Sequence, residues 1–122
     1  MKKFKNINVG IIGLGRITLH HIQNIVREKK ISLVSICDLD RSKLSKFSKK
    51  FNVPGYQNYR EMIKKHKNLN LIIIATPSGM HYEHSLEILK KFKKNLIIEK
   101  PLALKIQQCK KLFDCAKKNK VK

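Results

Sequence analysis

Short apolar runs rich in β-branched residues alternate along the chain with longer segments in which apolar and polar positions follow a helical period. The apolar runs predict strands, and the unbroken run at 71–75 indicates a strand buried on both faces. The amphipathic segments predict crossover helices. Strands are predicted at 7–12, 32–37, 55–57, 71–75 and 96–98, and helices at 16–28, 40–51, 59–65, 81–92 and 105–119.

This alternation predicts an α/β fold, a doubly wound, Rossmann-like parallel sheet of order 3-2-1-4-5, because right-handed crossovers place helices on both faces. A sixth strand would begin near Val121. We therefore expect residues 1–122 to form one NAD(P)-binding domain, truncated before strand 6 and without a second, substrate domain. The side chains expected to face the sheet are Ile17, Ile22, Ile25 and Val26 on the first helix, Leu44 and Phe47 on the second, and Leu86 and Leu89 on the fourth.

The charge balance raises the possibility of a polyanionic partner. The chain has 28 Lys+Arg against 8 Asp+Glu, a formal net charge of +20, which is typical of proteins that bind nucleic acids or anionic membranes. However, lysine supplies nearly all of this charge and Trp is absent, whereas nucleic-acid readers rely on arginine forks and aromatic stacking. Lysine pairs recur along the whole chain, so we favour a dispersed solvated charge and expect no specific nucleic acid.

Cysteine usage and the amino terminus bear on the compartment. Cys37, Cys109 and Cys115 form no C-x-x-C pair and lie in apolar patterns, which indicates buried thiols in a reducing compartment and no metal site. The lysine-rich residues 1–5 and the apolar run after them could mimic a signal peptide, a leader that is cleaved off on secretion. Asn8 interrupts the apolar run, however, and no small-x-small cleavage site follows. No segment reaches the roughly 20 apolar residues of a membrane span. We expect a cytoplasmic protein with no membrane partner.

Two glycines follow the first predicted strand and open the first predicted helix. Gly13 permits a tight turn, and the missing Cβ of Gly15 lets backbone N–H groups approach a pyrophosphate at the positive end of the helix. Asp38 ends the second strand roughly 20 positions later, where a carboxylate accepts hydrogen bonds from the adenosine ribose and repels a 2′-phosphate. This pattern predicts NAD, with NADP less favoured. Thr18 replaces a smaller residue, so we expect the first helix slightly farther from the sheet.

Two neighbours of Asp38 allow more than one interpretation. Asp40 has the position of a helix cap, which we favour over contact with the cofactor. Arg41 could stack on adenine, meet a 2′-phosphate or be an ordinary surface arginine, and the sequence leaves these alternatives open.

Two further motifs follow the fourth and fifth predicted strands. Thr76-Pro77 and Glu99-Lys100-Pro101 are expected at the same edge of the sheet as the glycines, because parallel strands end together there. Taken singly, Thr76-Pro77 would indicate only a turn between a strand and a helix. Glu99 and Lys100 would then be ordinary charged residues at the end of a strand. Their joint occurrence with the glycine turn favours a cofactor site beside a reactive lysine.

These motifs together resemble a known family. Residues 10–17 with His21, 37–40, 75–81 and 99–103 are similar, in order and spacing, to the N-terminal domain of the glucose-fructose oxidoreductase / inositol dehydrogenase / MocA family. The resemblance covers essentially the whole chain. It implies a domain that binds NAD(H) or NADP(H), in enzymes that oxidise a hydroxyl of a sugar, nucleotide-sugar or cyclitol.

The resemblance also implies roles for single residues. Lys100 would be catalytic and reach the substrate hydroxyl that loses its proton, and the Lys100–Pro101 bond is expected to be cis. His20 and His21 are expected to be solvated or to pack on their helix rather than to act as ligands. The implied cofactor-binding residues are Gly13, Gly15, Arg16 and Ile17 at the pyrophosphate turn, Asp38 at the adenosine ribose, Thr76, Pro77 and His81 on the nicotinamide side, and Glu99 at the nicotinamide ribose.

The second domain of that family supplies most of the substrate contacts. Since we expect it to be absent here, we expect the chain alone to bind cofactor without turnover, and to act on a small polyol or nucleotide-sugar only with a second domain. Ser78 stands where the family often has Asn, a variant that resembles members acting on nucleotide-activated sugars. A non-catalytic NAD(H)-sensing module is the first alternative, and a basic nucleic-acid-binding protein is the second.

Overall fold

The computed structural model describes residues 6–122. The lysine-rich residues 1–5, which we compared with a leader peptide, lie outside the described residues. The strands are β1 (Ile7–Ile12), β2 (Ile31–Cys37), β3 (Gly55–Tyr56), β4 (Leu71–Ile74) and β5 (Asn95–Ile98). The α-helices are α1 (Arg16–Arg27), α2 (Arg41–Phe51), α3 (Tyr59–Lys65), α4 (His81–Glu87) and α5 (Ile106–Lys118), and a 3-10 turn (Ser78–Met80) and a π-helical turn (Ile88–Phe92) flank α4.

The five strands form one parallel sheet of order β3-β2-β1-β4-β5. This confirms the predicted α/β topology. β1 is central, pairing with β2 on one side and β4 on the other, and its pairing with β2 shifts register between Val9 and Gly10. All five carboxyl ends therefore meet at one edge of the sheet.

Each face of the sheet carries its own apolar core. On one face α1 supplies the buried Ile22 and Ile25, and Phe47 from α2 packs against them. On the other face Met62 of α3 and Ile88 of the π-helical turn pack against the strands. Burial on both faces explains the unbroken apolar run of β4, in which Ile72 and Ile74 are fully buried.

The face that α1 presents to the sheet differs from the predicted one. Ile22 and Ile25 are buried together with Thr18, but Ile17 is 43% exposed and Val26 is 61% exposed. A helical residue advances about 100° around the axis, so a buried stripe centred on 18, 22 and 25 leaves residues 17 and 26 on its two flanks. The prediction for Ile17 and Val26 was wrong because it excluded a polar threonine from the buried stripe.

The last residues of the chain, after α5, form hydrogen bonds with β5. Leu96 donates its backbone N–H to the carbonyl of Lys122 over 2.7 Å, and Lys122 donates to Asn95 Oδ1 over 2.9 Å. Val121 packs among the apolar residues between α5 and the sheet. The chain therefore runs beside β5 at the place where the sequence predicted the sixth strand.

One buried hydroxyl lacks a partner. Ser35 of β2 is fully buried at the register shift, and its Oγ makes no hydrogen bond within residues 6–122. Ser85 of α4 is equally buried, but its Oγ donates to the carbonyl of His81. The two serines are equally buried but differ in hydrogen bonding, since burial of an unsatisfied hydroxyl destabilises the fold only at Ser35.

We predict opposite effects on stability for the two alanine substitutions. Ser35→Ala should raise the free energy of unfolding by about 1 kcal/mol, since it removes an unpaired buried hydroxyl, and Ser85→Ala should lower it by about 1 kcal/mol, since it removes the hydrogen bond of the Ser85 hydroxyl. Urea denaturation of the two variants and the parent measures both changes. A loss of stability in Ser35→Ala would show that this hydroxyl has a partner.

Candidate functional site

The turn after β1 requires glycine at its first position. Gly13 has φ of +99°, a conformation that side chains rarely adopt. A Cβ atom there would lie 2.5 Å from the carbonyl carbon and oxygen of Ala75. Gly13 also donates its N–H to the carbonyl of Cys37 over 2.8 Å. The turn is therefore packed directly between the ends of β4 and β2.

The first turn of α1 faces open space. Gly15 is the N-cap residue, no side chain caps the helix, and no acidic residue lies in its first turn. A Cβ at Gly15 would meet nothing within 4 Å. Unpaired N–H groups and the helix dipole favour an anion at such an end. Arg16 and Ile17 are exposed in the same turn, so the predicted pyrophosphate residues lie together.

Thr18 holds α1 against this turn. Its side chain is fully buried, and Oγ1 donates to the carbonyl of Gly13 over 2.5 Å. This bond satisfies the hydroxyl inside the core, which is the condition for burying it. The threonine thus joins the helix to the turn.

Asp38 lies at the end of β2, beside the glycine turn. Its Oδ2 accepts from the N–H of Leu14 and its Oδ1 from the N–H of Asp40, both over 2.8 Å. Each carboxylate oxygen can accept more than one hydrogen bond, so both remain available to a ligand hydroxyl. Asp40 caps α2 through Ser42 and Lys43, as the sequence indicated.

Arg41 is held at the surface near the same edge. Its Nε donates to Gln57 Oε1 over 3.2 Å, and Gln57 donates in turn to the carbonyl of Leu39 over 3.0 Å. Of the alternatives for Arg41, this contact favours an ordinary surface arginine, which joins the start of α2 to the segment after β3.

A cavity of about 720 Å³ opens at the carboxyl edge, a volume within the usual range for small-ligand sites. It brings together five of the predicted site residues, namely Gly13, Gly15, Asp38, Thr76 and Pro77. Further lining side chains come from Leu39, Lys43, Gln57, Asn58, Tyr59, Arg60, Met80 and His84. Leu39 and Met80 lie inside motifs that the sequence analysis identified but were not themselves predicted as site residues. The other six come from helices and loops that no ligand motif marks.

A charged cluster stabilises the far wall of the cavity. Glu87 accepts from Tyr59 Oη, from Arg60 Nε over 3.0 Å and from Lys91 Nζ over 3.2 Å. Burial alone would raise the pKa of Glu87, but these three hydrogen bonds outweigh it and hold the pKa at about 2. Tyr59 also packs its ring against His84, with ring centroids 5.0 Å apart. The wall therefore carries a permanently ionised carboxylate behind an aromatic surface.

Two titratable side chains of the cavity are uncharged at neutral pH. Burial, the largest cause, lowers the pKa of His84. Burial and the neighbouring Asp38 raise the pKa of Cys37 to about 12. The thiol is therefore an unreactive part of the wall.

The end of β5 carries Glu99 and Lys100. The Glu99 N–H donates to the carbonyl of Ile74 over 2.9 Å, and its Oε1 is hydrogen-bonded to Nε2 of His21 on α1. Lys100 is exposed, and no hydrogen bond or ion pair is recorded for it within residues 6–122. The Lys100–Pro101 peptide bond is cis, as expected. Neither Glu99 nor Lys100 lines the cavity that contains Asp38.

His81 lies beneath the edge rather than in the cleft. Its side chain is among the fully buried ones, with the residue 2% exposed. Nδ1 lies 2.8 Å from the carbonyl oxygen of Pro101, and Nε2 lies 2.6 Å from that of Thr76. The ring thus bridges the segments after β4 and β5. Contact between this ring and a nicotinamide stays a prediction, and this arrangement does not favour it.

Residues 6–122 lack both a metal centre and a membrane-spanning helix. They contain no group of three or more His, Cys, Asp and Glu side chains placed to hold a metal ion. None of their helices has the length and apolar character needed to cross a bilayer.

Comparison with known proteins gives a consistent answer. Residues 7–122 match the family described as an oxidoreductase family with an NAD-binding Rossmann fold. Glucose-6-phosphate 3-dehydrogenase of Bacillus subtilis (strain 168) is 31% identical over 93% of this chain and 31% of its own length. Myo-inositol 2-dehydrogenase of Thermotoga maritima is 28% identical over 92% of this chain and 33% of its own length.

A solved structure shares the fold. The WlbA dehydrogenase from Bordetella pertussis, in complex with NADH and UDP-GlcNAcA, superposes with a TM-score of 0.89 at 25% identity, over 96% of this chain and 36% of that one. The chain therefore spans about a third of the length of the relatives that it matches.

We predict that Gly13 and Gly15 differ in their tolerance of a side chain. Gly13→Ala should destabilise the fold by about 3 kcal/mol or more, because a methyl group would both require an unfavourable φ and overlap the backbone of Ala75. Gly15→Ala should change stability by less than about 1 kcal/mol, because its Cβ would enter open space. Urea denaturation of both variants tests this contrast, and equal losses would contradict it.

Proposed function

The chain belongs to the glucose-fructose oxidoreductase / inositol dehydrogenase / MocA family of oxidoreductases, with residues 7–122 as its NAD-binding Rossmann domain, and we propose that this domain holds NAD(H) across the carboxyl edge of its sheet for the oxidation of a ring hydroxyl. The observation that carries the proposal is the uncapped start of α1 at Gly15, which opens beside the Asp38 carboxylate. An anionic pyrophosphate and a ribose hydroxyl fit these two groups.

The order of the strands gives the cofactor its direction. With the pyrophosphate at Gly15 after the central β1, the adenosine half would extend over Asp38 into the β2 end of the 720 Å³ cavity. The nicotinamide half then extends the other way, over the ends of β4 and β5, toward Thr76 and Glu99. This direction brings Lys100 to the reactive end.

Asp38 supports a preference for NAD over NADP. Its backbone hydrogen bonds fix the carboxylate at the cavity wall, and its charge disfavours a 2′-phosphate. Lys43 and Arg60 line the same cavity and act in the opposite sense by attracting a phosphate. We therefore propose a moderate rather than an absolute preference.

The proposed chemistry is hydride transfer from a hydroxyl-bearing carbon. When bound, the nicotinamide ring supplies the hydride acceptor. Lys100 Nζ would hydrogen-bond the reacting hydroxyl and take part in the transfer of its proton. In this chain Lys100 is exposed to solvent and no relay group is recorded beside it, so we propose that turnover needs a further domain that excludes water and completes the proton path.

The named relatives indicate the class of substrate. One acts on glucose 6-phosphate, one on myo-inositol, and one was solved with NADH and a nucleotide-sugar. Glucose 6-phosphate, myo-inositol and the nucleotide-sugar all carry hydroxyl groups on a ring. We propose a sugar, nucleotide-sugar or cyclitol substrate for the whole enzyme, and the cytoplasm as its compartment.

The first binding prediction concerns cofactor choice. The parent chain should bind NADH about tenfold more tightly than NADPH, and Asp38→Asn should narrow the ratio to about twofold, because the amide loses the charge and keeps only one of the two acceptor oxygens. Isothermal titration measures both affinities. Asp40→Asn is the matched control and should leave the ratio unchanged, since Asp40 serves the helix cap. Equal affinity of the parent for both cofactors would remove the proposed role of Asp38.

The second prediction concerns Lys100. Residues 1–122 alone should show no polyol-dependent NADH formation, whereas fusion to the remaining part of a relative such as the B. subtilis dehydrogenase should restore it. Lys100→Ala in the fusion should lower kcat about 100-fold or more with little change in NADH affinity, and exposed Lys105→Ala should leave both unchanged. Turnover by the 122-residue chain, or full activity after Lys100→Ala, would place the reacting centre elsewhere.

A further inference from the structure

We propose that His21 is a positioning residue, which fixes the Glu99 carboxylate for the nicotinamide half of the cofactor. The inference rests on the proposed function and concerns a residue that the sequence pattern left as solvated or packed on its helix. The observation is the hydrogen bond between His21 Nε2 and Glu99 Oε1, which joins residues 78 positions apart.

The bond connects the helix at the proposed pyrophosphate position with the proposed nicotinamide end of the site. His21 lies on α1, whose first turn at Gly15 opens toward the pyrophosphate position. Glu99 directly follows β5, two strands away from β1 in the sheet. One side-chain contact therefore holds the Glu99 carboxylate to the helix that would bind the pyrophosphate.

The chemistry of the pair assigns the roles of its atoms. A carboxylate oxygen only accepts, so Nε2 of His21 carries the proton and donates it. The backbone of Glu99 is fixed separately by the carbonyl of Ile74. Among the described residues no partner is recorded for Oε2 of Glu99. That oxygen stays available as an acceptor for a ribose hydroxyl while the other is held.

Burial of the pair suits a positioning role. The side chains of His21 and Glu99 are 27% and 23% exposed, so solvent screens their hydrogen bond only in part. His20, the preceding residue, is exposed and makes no recorded contact within residues 6–122. The structure thus offers a neighbouring histidine as a matched control.

The location of the pair predicts a selective effect on binding. Asp38 lies on the β2 side of β1, whereas Glu99 lies on the opposite side, beyond β4. Loss of the His21 hydrogen bond should therefore weaken contacts with the nicotinamide half and spare the adenosine half. A general defect in folding would weaken both.

The test compares two ligands in one set of variants. NADH and ADP are titrated into the parent chain, His21→Leu, His21→Gln and His20→Leu. His21→Leu should weaken NADH binding about tenfold and ADP binding less than about twofold, the effect of one lost hydrogen bond to a charged group. His21→Gln should recover most of the NADH affinity because its amide nitrogen can replace Nε2 as the donor. His20→Leu should match the parent.

A double variant checks that the two residues act together. His21→Leu combined with Glu99→Gln should cost no more NADH affinity than Glu99→Gln alone, because the histidine acts through the carboxylate. Unchanged NADH binding in His21→Leu, additive losses in the double variant, or parallel losses of NADH and ADP would each overturn the inference while leaving NAD binding in place. Failure of the parent to bind NADH would overturn the proposed function itself.

Discussion

The close approach of the β1 turn to the backbone of β4 is the constraint on which the rest of the site depends. Gly13 fits there only because it has no side chain, since a Cβ would lie 2.5 Å from Ala75. Its carbonyl receives the hydroxyl of Thr18, which fixes the start of α1. Its N–H donates to the carbonyl of Cys37 and fixes the end of β2. The direction in which α1 presents its free N–H groups thus follows from one crowded contact between two strands.

Side chains then attach the outer strands to this centre. Asp38 links β2 to the glycine turn through Leu14, and Glu99 links β5 to α1 through His21. His81 bridges the segments that follow β4 and β5 from below. Each carboxylate keeps unused acceptor capacity, so the groups offered to a cofactor are already held by the fold. Such preorganisation lowers the entropy that ordering these groups on binding would otherwise cost.

The central strands were predictable because β1, β2 and β4 are apolar runs with residues buried inside the sheet. The edge strands were found from their place in the strand-helix alternation, since β3 is only two residues long and Ile97 of β5 is exposed. Predicted helix faces were less accurate, since Thr18 is buried and its hydroxyl bonds to Gly13, a contact that hydrophobic periodicity does not represent. The glycines and Asp38 were identifiable because their roles depend on local backbone geometry. The contact of His21 with Glu99 depends on how a helix crosses the sheet, which no local pattern records.

In the proposed function, binding and catalysis depend on different kinds of residue. Gly13 and Asp38 are parts of the fold, so the site for the cofactor forms whenever the sheet forms. Lys100 is different, because it is exposed and no hydrogen bond or ion pair is recorded for it among residues 6–122. On this proposal, a further domain over the edge of the sheet would have to orient its side chain. A domain built in this way can keep its affinity for a dinucleotide while its reactivity depends on a second structural unit.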